Sequence, residues 1–249
     1  MRIHRAPLAL LLFASLSPQL HARTLPVCVA PARPETRPDT LRDAPRKLIV
    51  IGFMGGRVHA TNLVHKEALM ARELQSRYPE ALRMHVFANH DAPHALATLL
   101  DLLDENHDGC LSPAEKSSAR IVLYGHSWGA SETVALANRL HGLNIPVLLT
   151  VQVDSVQKPA EDDSTIPPNV HEAINFYQAE GLLHGRQTIQ AKDPKQTTIL
   201  GNFQSTYRTN PVPLTGYPWF ARTFMKQHIE IENDPQVWDR IEALIGARV

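Results

Sequence analysis

The 249-residue chain carries no excess charge of either sign, since Lys plus Arg and Asp plus Glu number 25 each. That balance leaves no global field to draw nucleic acid or an anionic membrane to the surface. No basic run interleaved with aromatics is present either. The chain lacks His-Glu-x-x-His and paired Cys-x-x-Cys, so the local spacings that announce zinc are missing. Gly52-Phe-Met-Gly-Gly56 matches neither Gly-x-Gly-x-x-Gly nor a P-loop, which argues against a phosphate cradle. No internal repeat and no second domain stand out. No organic cofactor is expected. Cysteine is limited to Cys28 and Cys110, so one bridge is the most the chain can form; sequence leaves open whether they pair.

Long apolar runs are also missing. Leu8 to Leu16 is the most apolar stretch near the start, too short for a membrane span. It follows Arg2 and Arg5 and leads into a polar end at Ser17 to Ala22. This is the layout of a secretory signal peptide over residues 1–22, cleaved near Ala22, so export to the periplasm or the outside is expected. Residues 23–45 hold five of the nineteen prolines and no apolar periodicity, and read as an irregular arm. Residues 46–249 have the length and apolar content for a single α/β domain.

Within that domain apolar runs alternate with helical periodicities. Lys47 to Ile51, Met84 to Ala88, Ile121 to Tyr124 and Pro146 to Val153 read as strands apolar on both faces, with Ala173 to Tyr177 a candidate fifth. Helices are expected from about Asn62 to Arg77, from Pro93 through Leu103, and from Ala130 to His141. The alternation predicts an α/β fold with a mostly parallel sheet covered by helices on both faces. Residues 155–169 and 181–226 read as polar connections on one edge.

The most informative segment is Arg120-Ile-Val-Leu-Tyr-Gly-His-Ser-Trp-Gly129. A buried-type strand stops at Gly-x-Ser-x-Gly and a helix follows, the sequence form of a nucleophile elbow. A serine there occupies a strained backbone, and its flanking strand and helix approach too closely for a Cβ at the two glycines.

Strand, Gly-Phe-Met-Gly-Gly turn, helix, strand, helix, strand, Gly-His-Ser-Trp-Gly, helix, strand ending in Asp: this order over about residues 47–245 resembles the α/β-hydrolase superfamily, particularly its esterases and lipases. The resemblance implies a serine nucleophile, an acid and a histidine in that chain order. On this resemblance Ser127 is the expected nucleophile. His228, between the last connection and a final helix begun by Asp234-Pro235, is the expected base, with His184 the runner-up. Asp154, directly after the fourth strand, is the expected acid, and Glu180 occupies the alternative place one strand later. Two backbone N–H groups must face the developing oxyanion. Trp128 and Phe53 are expected to supply them, with Met54 the substitute for Phe53.

A separate motif runs from Asp104 to Glu115 and fills the places of a twelve-residue EF-hand loop. Asp104, Asn106 and Asp108 offer side-chain oxygens, Cys110 its carbonyl, Ser112 a water-bridged contact and Glu115 two carboxylate oxygens. A structural calcium ion is the cofactor expected here. An acidic helix-capping loop without an ion is the alternative.

Together these features lead to an exported, calcium-stabilised serine hydrolase of small carboxylic esters, with no nucleic-acid partner and no membrane span. The competing readings are a non-catalytic calcium-stabilised binding protein on the same scaffold, and an amidase or peptidase with the same triad.

Overall fold

A computed structural model describes residues 46–159 and 161–249. The expected signal segment, its cleavage position, the proline-rich arm and Cys28 lie outside the described residues.

The chain runs β1 (Leu48–Met54), α1 (Lys66–Arg77), β2 (Leu82–Ala88), α2 (Ala92–Leu103), α3 (Pro113–Ser117), β3 (Ile121–His126), α4 (Trp128–Gly142), β4 (Val147–Val153), β5 (Thr165–Ile166), β6 (Val170–Gln178), β7 (Gln190–Ala191), β8 (Thr198–Ser205), α5 (Trp219–Phe224), α6 (Lys226–Glu232) and α7 (Pro235–Gly246). Six strands form one sheet in the order β2-β1-β3-β4-β6-β8, and every neighbouring pair is parallel. β5 and β7 pair separately.

Successive residues of a strand point to opposite faces, and here each face has its own core. Ile49, Ile51, Phe53, Ile121 and Leu123 point to the side of α2 and α4, where Leu99, Leu103, Val134 and Leu140 meet them. Leu48, Val50, Val122 and Tyr124 point the other way, onto Met70 and Leu74 of α1 and Trp238, Ile241 and Ile245 of α7. Burial on both faces is why these strands read as unbroken apolar runs rather than as alternation. The expected fold class, a parallel sheet covered by helices on both faces, is the one observed.

One expectation needs correcting and one refining. The segment 181–226 is not all connection, because its residues 198–205 form the edge strand β8. Its side chains are mostly half-exposed, and Gly201 (φ 151°) accompanies a register shift opposite Ala173 and Ile174. An edge strand with one solvated side and a glycine inside it gives a weak apolar signal. His228, expected between the last connection and the final helix, lies within a short helix of its own, α6.

Candidate functional site

Ser127 stands between β3 and α4 with φ 56° and ψ −126°, a combination that a residue with a side chain adopts only under constraint. The constraint is visible in the flanking glycines. A Cβ on Gly125 would lie 2.5 Å from the Gly129 carbonyl carbon, and one on Gly129 would lie 2.2 Å from the Phe53 carbonyl oxygen. Both glycines are therefore required by backbone proximity. Backbone hydrogen bonds hold the turn: Ser127 N–H donates to the Val153 carbonyl at 2.9 Å, and Val156 N–H to the Ser127 carbonyl at 3.2 Å. The elbow is thus tied to the end of β4, one residue from Asp154.

Asp154 is fully buried, again at positive φ, 43°. Its Oδ1 accepts from Gln178 N–H at 3.2 Å and Gly185 N–H at 2.9 Å. Its Oδ2 accepts from Gln178 Nε2 at 2.8 Å and lies 2.6 Å from His228 Nδ1. With Nδ1–H donated to the carboxylate, His228 Nε2 is the nitrogen that carries the lone pair. That Nε2 is buried and has no hydrogen-bond partner. The loop holding Gly185 is itself braced. Arg186 bonds Asp163 through Nε at 2.9 Å, Ser155 Oγ donates to Asp163 Oδ2 at 2.7 Å, and Arg186 N–H donates to the Ser155 carbonyl at 2.7 Å.

Glu180 turns away from this pair. It accepts from Tyr207 N–H at 3.1 Å and forms an ion pair with Arg208 at 3.2 Å. His184 is exposed to solvent. Of the alternatives open in the sequence, Asp154 and His228 are the two brought together.

The ends of β1, β3, β4 and β6 lie at one edge of the sheet, and Gly55, Ser127 and Asp154 all stand just beyond them. A cavity of about 300 Å³ lined by Lys47, Ile49, Arg83 and Arg120 opens at the opposite ends of the strands, away from this group. Trp128 opens α4, where backbone N–H groups have no acceptor within the helix. Phe53 lies inside β1, paired with both Phe87 and Gly125, and its side chain is buried in the core. Gly55 in the following turn lies against the serine, since a Cβ there would lie 3.2 Å from Ser127 Cβ.

Beneath the elbow lies a group that sequence reasoning missed. His65, Glu67 and Glu232 are the one set among the described residues whose His, Cys, Asp or Glu donor atoms all fall within 4.8 Å. His65 Nδ1 hydrogen-bonds Glu232 Oε1. His126 joins them, its Nδ1 at 3.5 Å from Glu232 Oε2 and 3.9 Å from Glu67 Oε1. Its Nε2 lies 3.1 Å from the His228 carbonyl. Burial raises the Glu67 carboxyl well above its usual range, and the neighbouring Glu232 adds to this. Burial likewise pushes Glu232 up to about 8, countered in part by hydrogen bonding to Tyr217 and Glu67. Burial, then the nearby His228, holds His126 well below the usual imidazole range, and burial also lowers His65. The only local trace in the sequence is His65-x-Glu67.

The loop from Asp104 to Glu115 folds on its own side chains. Gly109, at φ 80°, donates to Asp104 Oδ2 at 2.8 Å, and Cys110 N–H donates to Asp108 Oδ1 at 2.9 Å. Asn106 Oδ1 accepts from Asp108 N–H at 3.0 Å. Ser112 and Glu115 cap each other's backbone at the start of α3, and Glu115 Oε1 also accepts from Glu105 N–H at 3.0 Å. Leu111 packs against the core. Cys110 is disulfide-bonded.

No family model and no curated protein matches the chain. Solved structures similar to it include RedJ, a thioesterase from the prodiginine biosynthetic pathway of Streptomyces coelicolor. That likeness has 14% identity and a TM-score of 0.41, and covers 92% of this chain and 99% of that one. A protein classed as a hydrolase of the alpha/beta superfamily from Xanthomonas campestris pv. campestris is similar at 14% identity and TM-score 0.33, over 75% of this chain and 96% of that chain. A YdeN-like hydrolase from Pectobacterium atrosepticum is similar at 14% identity and TM-score 0.35, over 75% and 91% respectively.

Proposed function

We propose that the chain is a serine hydrolase of small carboxylic esters. The observation that carries this reading is the buried Asp154–His228 pair at 2.6 Å, set beside a serine held in a strained turn at the head of a helix. In this reading Ser127 Oγ attacks the carbonyl carbon and His228 Nε2 takes its proton, later giving it to the leaving alcohol. Asp154 fixes the imidazole tautomer and balances the charge that develops on it. Trp128 N–H and an N–H of the β1 end, Phe53 or its neighbours in the turn, hold the oxyanion. The free lone pair on His228 Nε2 suits a base whose bond to the serine tightens when substrate binds, as such bonds often do.

The loop Asp104–Glu115 serves in this reading as a calcium site that stabilises the fold. Its donor set is oxygen throughout, suited to a hard cation, and its chain path already has the glycine turn and capped exit helix such a loop requires. Calcium would draw Asp104, Asp108 and Glu115 inward from the amides they now accept. The apolar, flanked segment at residues 1–22 supports export.

The decisive experiment is labelling by a fluorophosphonate together with a panel of p-nitrophenyl esters of graded acyl length. Wild type should label and turn over at least one ester. Ser127→Ala should lose the label and about 10⁴-fold or more of kcat. Full labelling of the variant, or no turnover by the wild type of any ester or amide offered, rejects the assignment.

A further inference from the structure

His65, Glu67, His126 and Glu232 converge from four places in the chain: the residue before α1, its first turn, the last residue of β3 and the last of α6. Relative exposures of 0% for Glu67, 2% for Glu232 and 3% for His126 put two carboxylates and an imidazole out of reach of water. Among the described residues no lysine or arginine pairs with either carboxylate; their ion-pair partners are the two histidines. Glu67 Oε2 is buried with no hydrogen-bond partner at all.

The protons make the arrangement more telling. The His228 carbonyl can only accept, so His126 Nε2, 3.1 Å from it, carries the hydrogen. The other nitrogen, Nδ1, then presents a bare lone pair, and it faces two carboxylate oxygens at 3.5 and 3.9 Å. A lone pair facing a carboxylate oxygen in a buried space is repulsive unless a proton or a metal ion lies between them, and buried charges are paired or coordinate metals. A tetrahedral ion with bonds of about 2.0–2.1 Å holds its ligand atoms roughly 3.3 Å apart; the donor atoms of His65, Glu67 and Glu232 already lie within 4.8 Å of one another, so an ion would draw them together and take the place of the His65–Glu232 hydrogen bond.

We infer that His65 Nδ1, His126 Nδ1, Glu67 and Glu232 form a four-coordinate site for a divalent transition ion of the zinc class. Two imidazole nitrogens with two carboxylates suit zinc and disfavour calcium or magnesium, which take oxygen. Four protein ligands leave no open position, so the role is structural. Glu67 Oε1 accepts from Gly55 N–H at 3.3 Å, and His126 holds the His228 backbone. The ion therefore fastens the turn after β1, the elbow and α6 to one point. The inference does not depend on the esterase reading, because its readout is metal binding.

The test uses the full chain, stripped with a chelator and titrated with cobalt and then zinc. One equivalent of cobalt should give the intense visible bands of tetrahedral coordination, zinc should displace it, and zinc should raise Tm. Loss of an outer-shell partner weakens metal sites by roughly 10–100-fold, so Glu232→Gln and His65→Ala should each weaken cobalt by more than that. Asp108→Ala, in the separate EF-hand-like loop, should bind cobalt as wild type does. Far-UV circular dichroism verifies that the stripped variants are folded. A wild type with no tetrahedral bands and no zinc-dependent rise in Tm overturns the site. So does full cobalt affinity in folded Glu232→Gln and His65→Ala.

Discussion

Gly185 lies so close to Asp154 that a Cβ on it would stand 2.1 Å from the aspartate carbonyl carbon, while its N–H donates to Asp154 Oδ1 at 2.9 Å. A residue thirty-one places downstream thus fixes both the strained backbone and the carboxylate of Asp154. Gly185→Ala should displace Asp154 from His228. The expected result is a loss of about 1–3 kcal/mol in stability from overpacking, with ester kcat falling further than Tm alone accounts for. Thermal melts and steady-state kinetics on the same preparation check it; an alanine variant with wild-type kcat would show that Asp154 is not positioned by this contact.

The acid can be tested by comparing two carboxylates. Asp154→Asn removes the charge beside His228 Nδ1 and should lower kcat by roughly 10³–10⁴. Glu180→Gln gives up an ion pair to Arg208, whose side chain is largely exposed, and a half-exposed pair of this kind contributes little. Its kcat should stay within a few-fold of wild type. The opposite ranking moves the acid to Glu180.

Calcium should act on stability. A lone EF-hand loop with Kd near ~10 μM, in about 1 mM calcium, gains about 2.7 kcal/mol by linkage, enough to raise Tm by several degrees. Adding calcium to chelated protein should produce that rise, and Asp108→Ala should abolish it while zinc-dependent effects persist. A melting curve indifferent to calcium would leave Asp104–Glu115 as a capping loop only.

One acid-range titration is local. Asp162 Oδ1 accepts from Ser164 N–H at 2.8 Å and Ser164 Oγ at 2.6 Å. The hydroxyl bond chiefly holds its carboxyl down to about 2, from 3.8. A carboxyl lowered on folding contributes stability present above the unfolded value, and lost as pH falls through the folded one. Ser164→Ala should return the Asp162 midpoint, followed by carboxyl carbon NMR, toward 3.8. An unmoved midpoint rules out the hydroxyl as the main cause.

The parts of this molecule readable from sequence are those dictated by local sterics or strand burial. Gly125 and Gly129 announce the elbow because no side chain fits there, and Asp154 is found by following an apolar strand to its end. Chain order points to His228 but not to the helix α6 that carries it, because a seven-residue helix is too short to show a period. β8 was missed because an edge strand carries half a pattern. The His65–Glu232 pair spans 167 residues, and no spacing motif can reveal ligands that only the sheet brings together. The absence of Cys-x-x-Cys and His-Glu-x-x-His therefore excluded only the local kinds of zinc site.

The order of the strands bears on when the site comes into being. Beyond β3 the sheet adds β4, β6 and β8 outward in chain order, so a chain emerging from synthesis can complete its sheet strand by strand. Ser127 and Asp154 are set once β4 and β6 have paired and the Gly185 loop has closed on Asp154. The imidazole arrives only with α6, after the last strand, and α7 then closes over the core that holds it. In the proposed reading the base is the last of the three side chains to be placed, and it waits on the docking of the final two helices.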